Sequence, residues 1–267
     1  MIPESFGIGE SLGYFDHILN ATSIEEIWAH HTEMMASFGF DRLLYAFTRF
    51  MPSKNLGLPE DCLILTNHPQ DYVDEYIHGG LYKSAPMVLW VAENQGCQPW
   101  WEIGEKVRQR GATPGEMKVF ELNRRYQVNA GYSIGFPEIS YRARGGIGLC
   151  AKPGLTNEDV DAIWAKHGCL ITVLNKVMHL RVTSLPYHTG RQLTPRQCEA
   201  LEWVGEGKTN QDIATIMGLT PATVEKHLRL AREALEVETT AQAVLIASLR
   251  NQIFLLPEHR QGRVGVA

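Results

Sequence analysis

The sequence predicts two domains of different class, an N-terminal α+β domain and a C-terminal all-α domain. Strand-like runs flanked by helical periodicity fill the first two thirds of the chain, whereas the last third carries helical patterns throughout. Between them, VTSLPYHTGRQ ends an apolar helical stretch with Ser, Pro, Thr and Gly. We therefore predict an α-β-α layered domain with a central antiparallel sheet at residues 1–180, a linker at 181–191, a four-helix domain at 192–255 and a tail at 256–267.

Four short segments of the N-terminal domain predict strands, because they are rich in β-branched and aromatic residues and are bounded by Gly, Pro or Asp. They are residues 43–50, 62–66, 132–141 and 146–151. Apolar residues at helical spacing predict helices around them, at 23–39, 68–80 and 158–180. Strands in the middle with helices before and after them indicate a layered domain.

Three threonines mark helix starts in the C-terminal domain. Thr194, Thr209 and Thr220 each precede a helical pattern, and a threonine hydroxyl at that position accepts from an otherwise unpaired backbone N–H. Gly218 separates the second of these helices from the third, and apolar residues of both helices form one inward-facing seam. Two short helices that are joined at a glycine and share a seam predict a helix-turn-helix.

The face of the third helix opposite the seam carries cations. Lys226 and Arg229 suit guanine edges or phosphates, and Thr223 with the amides at the helix start suits a phosphate. The residues predicted to contact DNA are Thr209, Asn210, Thr220, Thr223, Glu225, Lys226, Arg229 and Arg232. The alternative is a structural hairpin with a solvated charged face. Because cations and carboxylates nearly balance between 191 and 250, one copy should bind DNA poorly and two copies are needed.

Composition excludes several classes of protein. The net charge is -5, so DNA binding requires a local patch rather than a basic surface. The absence of a long apolar run and of an export signal predicts a cytoplasmic protein without membrane contact. Five cysteines without a CxxC pair predict no metal site, and the scattered histidines form no catalytic motif, so neither a cofactor nor enzymatic activity is expected. A redox sensor built on Cys97 or Cys150 is a further alternative.

Residues 193–244 resemble the helix-turn-helix of LuxR-type transcription regulators. The match includes Leu193-Thr194-Pro195-Arg196, Gly207-Lys208-Thr209, Ile213-Ala214, Thr223-Val224, His227 and Ala241-Gln242-Ala243. Gln197 stands where the family has Glu, Ala234-Leu235-Glu236 where it has Lys-Leu-Gly, and Thr240 where it has Arg. The loss of two cations at these places implies weaker phosphate contact with an unchanged fold.

Residues 15–180 resemble the autoinducer-binding domain of the same family. The family places a Trp and a Tyr four residues apart on a helix, then Asp-Pro, a second Trp, and a Gly before a strand. These positions correspond to Tyr72, Tyr76, Ala85-Pro86, Trp101 (with Trp100 as the alternative) and Gly131. In the family, the first Trp donates to the lactone carbonyl of an acyl-homoserine lactone and the Asp accepts from its amide, so both polar positions differ here.

This resemblance favours a ligand pocket over the alternative that the many aromatic residues simply form a core. The predicted ligand-binding residues are Tyr45, Phe47, Tyr72, Tyr76, Ala85, Pro86, Trp101, Gly131 and Ser133. Without an acceptor at Ala85, a buried ligand amide would lose about 1–3 kcal/mol. We therefore predict a preference for an unusual lactone such as an aryl derivative, for another amphipathic molecule, or for no obligatory ligand.

The two resemblances together imply a homodimeric transcriptional regulator that binds a palindromic site on double-stranded DNA and senses a small amphipathic signal, with RNA polymerase as a further partner. Dimer contacts are expected from the N-terminal domain and from Val244, Leu245, Ala247 and Leu249 of the last helix. The alternative is a ligand-independent or antagonistic regulator whose own aromatic side chains fill the pocket.

Overall fold

The structure, a computed structural model, describes residues 7–50, 62–138, 140–188 and 190–255. The chain divides into two compact units, residues 1–182 and 183–267, of which the first is α/β and the second all-α. The predicted fold class is confirmed. The predicted tail at 256–267 lies outside the described residues.

A five-stranded antiparallel sheet forms the centre of the described part of the first unit. Its strands are β1 (Phe40–Thr48), β2 (Leu63–Thr66), β3 (Gly96–Pro99), β4 (Gly131–Gly135) and β5 (Arg144–Ala151), in the spatial order β2-β1-β5-β4-β3. The sequence did not predict β3, because Gly-Cys-Gln-Pro lacks β-branched and aromatic residues; it joins the sheet through backbone pairing with β4. The strand predicted to extend to residue 141 ends at Gly135, shortly before Pro137, which has no N–H to donate to a sheet.

Helices cover both faces of this sheet. One face packs against α2 (Ile24–Ser37) and α7 (Asn157–Ser184): Trp164 of α7 stacks on Tyr132 of β4 with ring centroids 3.9 Å apart and meets Phe40 of β1 edge-on. The other face is covered by α3 (Gln70–Val73) with a π-helical continuation (Asp74–His78), a 3-10 turn (Leu81–Ser84), α4 (Pro86–Glu93), α5 (Trp100–Arg110) and α6 (Pro114–Arg125).

A buried polar chain fastens α1 (Ile8–Asn20) to α2 and α7. The Tyr14 hydroxyl lies 2.6 Å from Nδ1 of His31, and Nε2 of His31 lies 3.1 Å from Oδ1 of Asn175. Burial lowers the pKa of His31 to about 4, so the imidazole is neutral at physiological pH. The Arg181 guanidinium also donates to the Ala21 carbonyl oxygen at 2.7 Å, so α1 lies alongside α7.

The second unit consists of α8 (Pro195–Gly205), α9 (Asn210–Met217), α10 (Pro221–Ala234) and α11 (Thr240–Leu249). Thr194, Thr209 and Thr220 cap the first three helices as predicted, each accepting from the backbone N–H three residues later. Gly218 adopts φ 66°, a left-handed conformation that glycine takes at little cost, and it ends α9. The predicted seam is the core of this unit: Ile213, Ala214, Met217, Val224, Leu228, Ala231 and Leu235 are buried, and Leu219 packs against them.

Among the described residues, no helix is long and apolar enough to cross a bilayer, and no group of three or more His, Cys, Asp or Glu side chains is placed to hold a metal. The Cys150 thiol is buried, and burial raises its pKa to about 12. A thiol held in the protonated form is a poor nucleophile, which argues against a redox role for Cys150.

Candidate ligand cavity and nucleic-acid interface

A cavity of about 530 Å³ lies between the sheet and the helices α3 to α6. Gly146 and Gly148 of β5 form its floor beside Leu44 and Ala46 of β1, and Val91 of α4 packs directly on Gly146. Alternating residues of an antiparallel strand point to opposite faces, so Gly148 leaves space on the cavity side, where an added Cβ would meet the Trp100 ring only at 3.5 Å. The volume is within the range of small-molecule binding sites.

One wall of the cavity is a column of stacked rings. His68 stacks on Tyr72 with centroids 4.7 Å apart, and Tyr72 stacks on Tyr76 at 5.2 Å. The Tyr72 hydroxyl donates to Oδ1 of Asn123 on α6 at 3.0 Å, which leaves the amide N–H groups of Asn123 free of any acceptor in the described part of the chain. Burial raises the pKa values of Tyr72 and Tyr76, and burial together with the nearby Arg42 charge lowers that of His68 to about 4. The column is therefore uncharged at neutral pH.

A second polar part of the cavity lining is the hydrogen-bonded pair of Trp100, the first residue of α5, and Ser133. The Trp100 indole N–H donates to the Ser133 hydroxyl at 2.9 Å, and both residues line the cavity. A hydroxyl that accepts one hydrogen bond still has its own proton to donate, and accepting strengthens that donor. Gly131 makes this arrangement possible, since a Cβ at that position would lie 3.0 Å from the Trp100 ring and 2.2 Å from the Leu149 carbonyl oxygen.

Trp101, predicted as a ligand-binding residue with Trp100 as the alternative, and Trp100 both border the cavity, but they differ in orientation. Trp101 borders the cavity, but it is 40% exposed and its indole N–H donates to Asp161 at 2.9 Å. Consecutive residues of a helix point about 100° apart, so only one of the pair can face the sheet, and Trp100 does so.

Tyr45 is a second correction. Its hydroxyl lies 2.9 Å from Nδ1 of His179 on α7, on the face of the sheet away from the cavity, and it is not a lining residue. Phe47, two residues later, packs on the His179 ring and also borders the cavity. Tyr72, Tyr76, Ala85, Pro86 and Ser133 line the cavity, whereas Gly131 shapes it from behind Trp100.

Several lining residues were not predicted, notably His68, Asn123 and Arg144. One sequence signal could have indicated this part of the cavity. The run Gly145-Gly146-Ile147-Gly148 places glycines inside a strand pattern, which suggests that a ligand or another part of the chain approaches the backbone closely.

The predicted DNA-contacting residues lie on α9 and α10, in two groups. The first is an internal network: Glu225 accepts from Asn210 at 3.1 Å and from Arg232 at 3.0 Å, and Arg232 also donates to Thr240 at 2.8 Å. Thr209 and Thr220 cap their helices, and Thr223 is within hydrogen-bond distance of the Thr220 hydroxyl.

The second group is the exposed cations. Arg229 forms an ion pair with Glu233 one turn later, and Lys226 forms no ion pair with any described residue. Both side chains are on the side of α10 opposite the buried Val224, Leu228 and Ala231. This face has the arrangement of a recognition helix, with cations outward and the apolar seam against α9.

Comparison with known proteins finds two families. Residues 23–182 match the family described as autoinducer binding domain, and residues 191–247 match the bacterial regulatory proteins of the luxR family. Among curated relatives, the HTH-type quorum sensing-dependent transcriptional regulator RpaR of Rhodopseudomonas palustris is 29% identical over 214 residues, covering 79% of this chain and 82% of the relative. The transcriptional activator protein LuxR of Aliivibrio fischeri is 26% identical over 198 residues, covering 72% and 76%.

A similar solved structure is the N-acylhomoserine lactone dependent LuxR family transcription factor CepR2 from Burkholderia cenocepacia. It has 19% identity and a TM-score of 0.50, and the match covers 65% of this chain and 94% of that one. At this identity the likeness concerns the fold alone.

Proposed function

Since this chain belongs to the LuxR family of transcriptional regulators, with an autoinducer-binding domain followed by a LuxR-type helix-turn-helix, we propose that it works as a homodimer on a palindromic DNA site under the control of a small amphipathic ligand. The two domains make it a ligand-sensing transcriptional regulator, and its relatives are regulators rather than enzymes. From such a site the dimer would act on transcription through RNA polymerase.

The observation that carries the proposal is the cavity. Its volume of about 530 Å³ and its largely apolar lining with a limited number of polar groups, Ser133, Tyr72 and Asn123 among them, are the features of a site for a small amphipathic molecule. A regulator whose own aromatic side chains filled the pocket would have little space left there, so the cavity argues against that alternative. A ligand that binds only the folded domain stabilises it by mass action, which couples the signal to the amount of active protein.

Dimerisation is supported by an exposed apolar surface on α1 and α7, which lie side by side. Its members are Ile8, Leu12 and Leu19 of α1 with Val173 and Leu180 of α7. Exposed apolar surface on adjacent helices is typical of an interface between copies. On α11, Leu245 is exposed, whereas Ala247 is buried in the core of its own unit, which corrects the expectation that Ala247 contributes to a dimer.

We expect Leu12→Glu to shift the protein from dimer to monomer and to weaken binding to a two-half-site DNA, because a charge in an apolar interface loses its hydration without a partner. Leu12 is 61% exposed within one copy, so the change costs that copy little. Sedimentation equilibrium measures the mass. Met117→Glu on α6, on the other side of the sheet and 57% exposed, is the matched control and should remain dimeric. A dimer of unchanged stability in the Leu12 variant would exclude this surface.

The cavity also predicts how to change the ligand preference. Ala85 is buried and lines the cavity where the family has Asp, so Ala85→Asp supplies the missing acceptor for a ligand amide. We expect the affinity for N-octanoyl-homoserine lactone, measured by calorimetry, to rise about tenfold to a hundredfold. Ala85→Leu, which fills similar space without an acceptor, should give no gain. Nanomolar binding of this lactone by the unaltered protein would contradict the predicted preference for a different ligand.

A further inference from the structure

The charge of the cavity lining is one-sided. Three arginines line it, Arg108, Arg124 and Arg144, whereas no aspartate or glutamate is found among its described lining residues. Arg108 is exposed and has its own carboxylate, Glu105, at 2.7 Å. A pocket for a neutral amphipathic molecule needs no such excess of positive charge, since cations without counter-charges repel one another and are costly to desolvate.

Arg144 is the most enclosed of the three. It is the first residue of β5, and it is half-buried; its Nε donates to the Ala92 carbonyl oxygen at 2.9 Å and one terminal nitrogen donates to the Ala143 carbonyl oxygen at 2.7 Å. A guanidinium has five N–H donors and stays charged at any physiological pH. The two carbonyls therefore fix its position while leaving its other donors available, and its charge is not balanced by any described carboxylate within ion-pair distance.

Among the described residues, the Glu138 carboxylate comes near β5 at this end and is already engaged. A Cβ on Gly145 would lie 3.4 Å from Oε1 of Glu138, and this same oxygen is 2.9 Å from Nε2 of His179 on the opposite face of the sheet. Glu138 is therefore directed to His179, and no carboxylate of the described residues offsets the charge of Arg144 on the cavity side.

Arg144 and the Ser133 hydroxyl lie at different points along the floor strand β5. From Arg144 to Gly148 the floor strand advances four residues, about 13 Å. Gly148 lies beside the Trp100 ring and the Ser133 hydroxyl, at 3.5 and 4.0 Å from its added Cβ. Apolar lining that includes Val91, which packs on Gly146, separates the Arg144 cation from the Ser133 hydroxyl.

We propose that the ligand of this cavity is an elongated amphipathic carboxylate, whose anionic group accepts hydrogen bonds from Arg144 while its apolar body lies against the apolar side chains of the lining, Val91 among them. This inference rests on the proposed ligand-sensing function and names the chemical class of the ligand. Arg144 is then the residue that selects charge, and an acceptor group at the far end of the ligand meets the Ser133 hydroxyl, which has a proton to donate.

The test compares decanoate with decanamide, which match in length and differ in charge, by calorimetry on the full chain. We expect decanoate to bind about tenfold to a hundredfold more tightly, as a charge-assisted hydrogen bond does relative to a neutral one. Arg144→Gln should remove this preference by weakening decanoate alone, with decanamide changed less than twofold. Arg108→Gln, which removes an equal but exposed and already paired charge, should keep it.

Equal affinity for the two probes, or a preference that survives in Arg144→Gln, overturns the inference. The comparison in the unaltered protein needs no variant, so it remains decisive if Arg144→Gln does not fold. N-octanoyl-homoserine lactone as a third probe separates this inference from the proposed function. If the lactone binds and decanoate does not, the ligand is not a carboxylate but the sensor role is supported. If none of the three probes binds, neither the carboxylate ligand nor the sensor role is supported.

Discussion

Gly131→Ala is expected to lower the free energy of unfolding of the N-terminal domain by about 3 kcal/mol, which is the upper part of the range for overpacking a close-packed interior. A Cβ there would lie 2.2 Å from the Leu149 carbonyl oxygen, which belongs to the β4–β5 pairing and cannot move without breaking the sheet. It would also lie 3.0 Å from the Trp100 ring, so the indole would leave the Ser133 hydroxyl. The change therefore damages the fold and the cavity together.

Gly148→Ala is the matched control. It lies on the neighbouring strand and faces the same cavity, but its added Cβ would meet the Trp100 ring at 3.5 Å, which is ordinary van der Waals contact. Five of the six tryptophans, Trp28, Trp90, Trp100, Trp101 and Trp164, belong to the N-terminal domain, so intrinsic fluorescence during urea denaturation reports mainly on that domain. If Gly131→Ala and Gly148→Ala unfolded at the same urea concentration, residue 131 would have space for a Cβ, which contradicts the distances in the structure.

The sequence predicted the local features of this fold well, because they depend on neighbouring residues. A threonine before a helix caps it wherever the helix goes, so Thr194, Thr209 and Thr220 identified their helix starts. The edge strand β3 carried no such signal, since backbone pairing with β4 alone makes it a strand.

The side to which each residue of a buried strand or helix points could not be predicted in the same way. Tyr45 and its neighbours Leu44 and Ala46 are all apolar or aromatic because both faces of the sheet are covered, so no alternation told which face each would take. The choice between Trp100 and Trp101 depended likewise on where the sheet lies relative to the start of α5. The space beside the Trp100 ring depends on small residues such as Gly148, whose positions in the sheet the sequence alone does not show.

The electrostatics of the helix-turn-helix explain why Lys226 is the residue on which DNA binding should depend most. Arg232 already binds Glu225 and Thr240, and Arg229 is paired with Glu233, so a phosphate must compete with a carboxylate for either arginine. Lys226 has no such competitor among the described residues, and its whole charge is available to a phosphate or a guanine edge.

Lys226→Ala is therefore expected to weaken binding of the dimer to its DNA site roughly 30-fold or more, because one contact of about 1–3 kcal/mol is lost in each of two half-sites. Fluorescence anisotropy at several salt concentrations measures the affinity, and the dependence on salt should become shallower because fewer counterions are released. Arg196→Ala on α8, which removes the same charge from a side chain paired with Glu199 at 2.8 Å, is the control and should bind nearly as the unaltered protein does.

Glu233→Gln provides the opposite change on the same helix. It removes the carboxylate paired with Arg229 and frees that guanidinium for a phosphate, so we expect tighter DNA binding, by about threefold to fivefold, since an exposed ion pair between residues one helical turn apart is worth about 0.3–0.5 kcal/mol in each of two copies. Opposite effects from two exposed positions seven residues apart require the outward face of α10 to lie against the DNA. If Lys226→Ala and Glu233→Gln both left the affinity unchanged while the protein stayed folded and dimeric, this face would be solvated and the DNA would bind elsewhere.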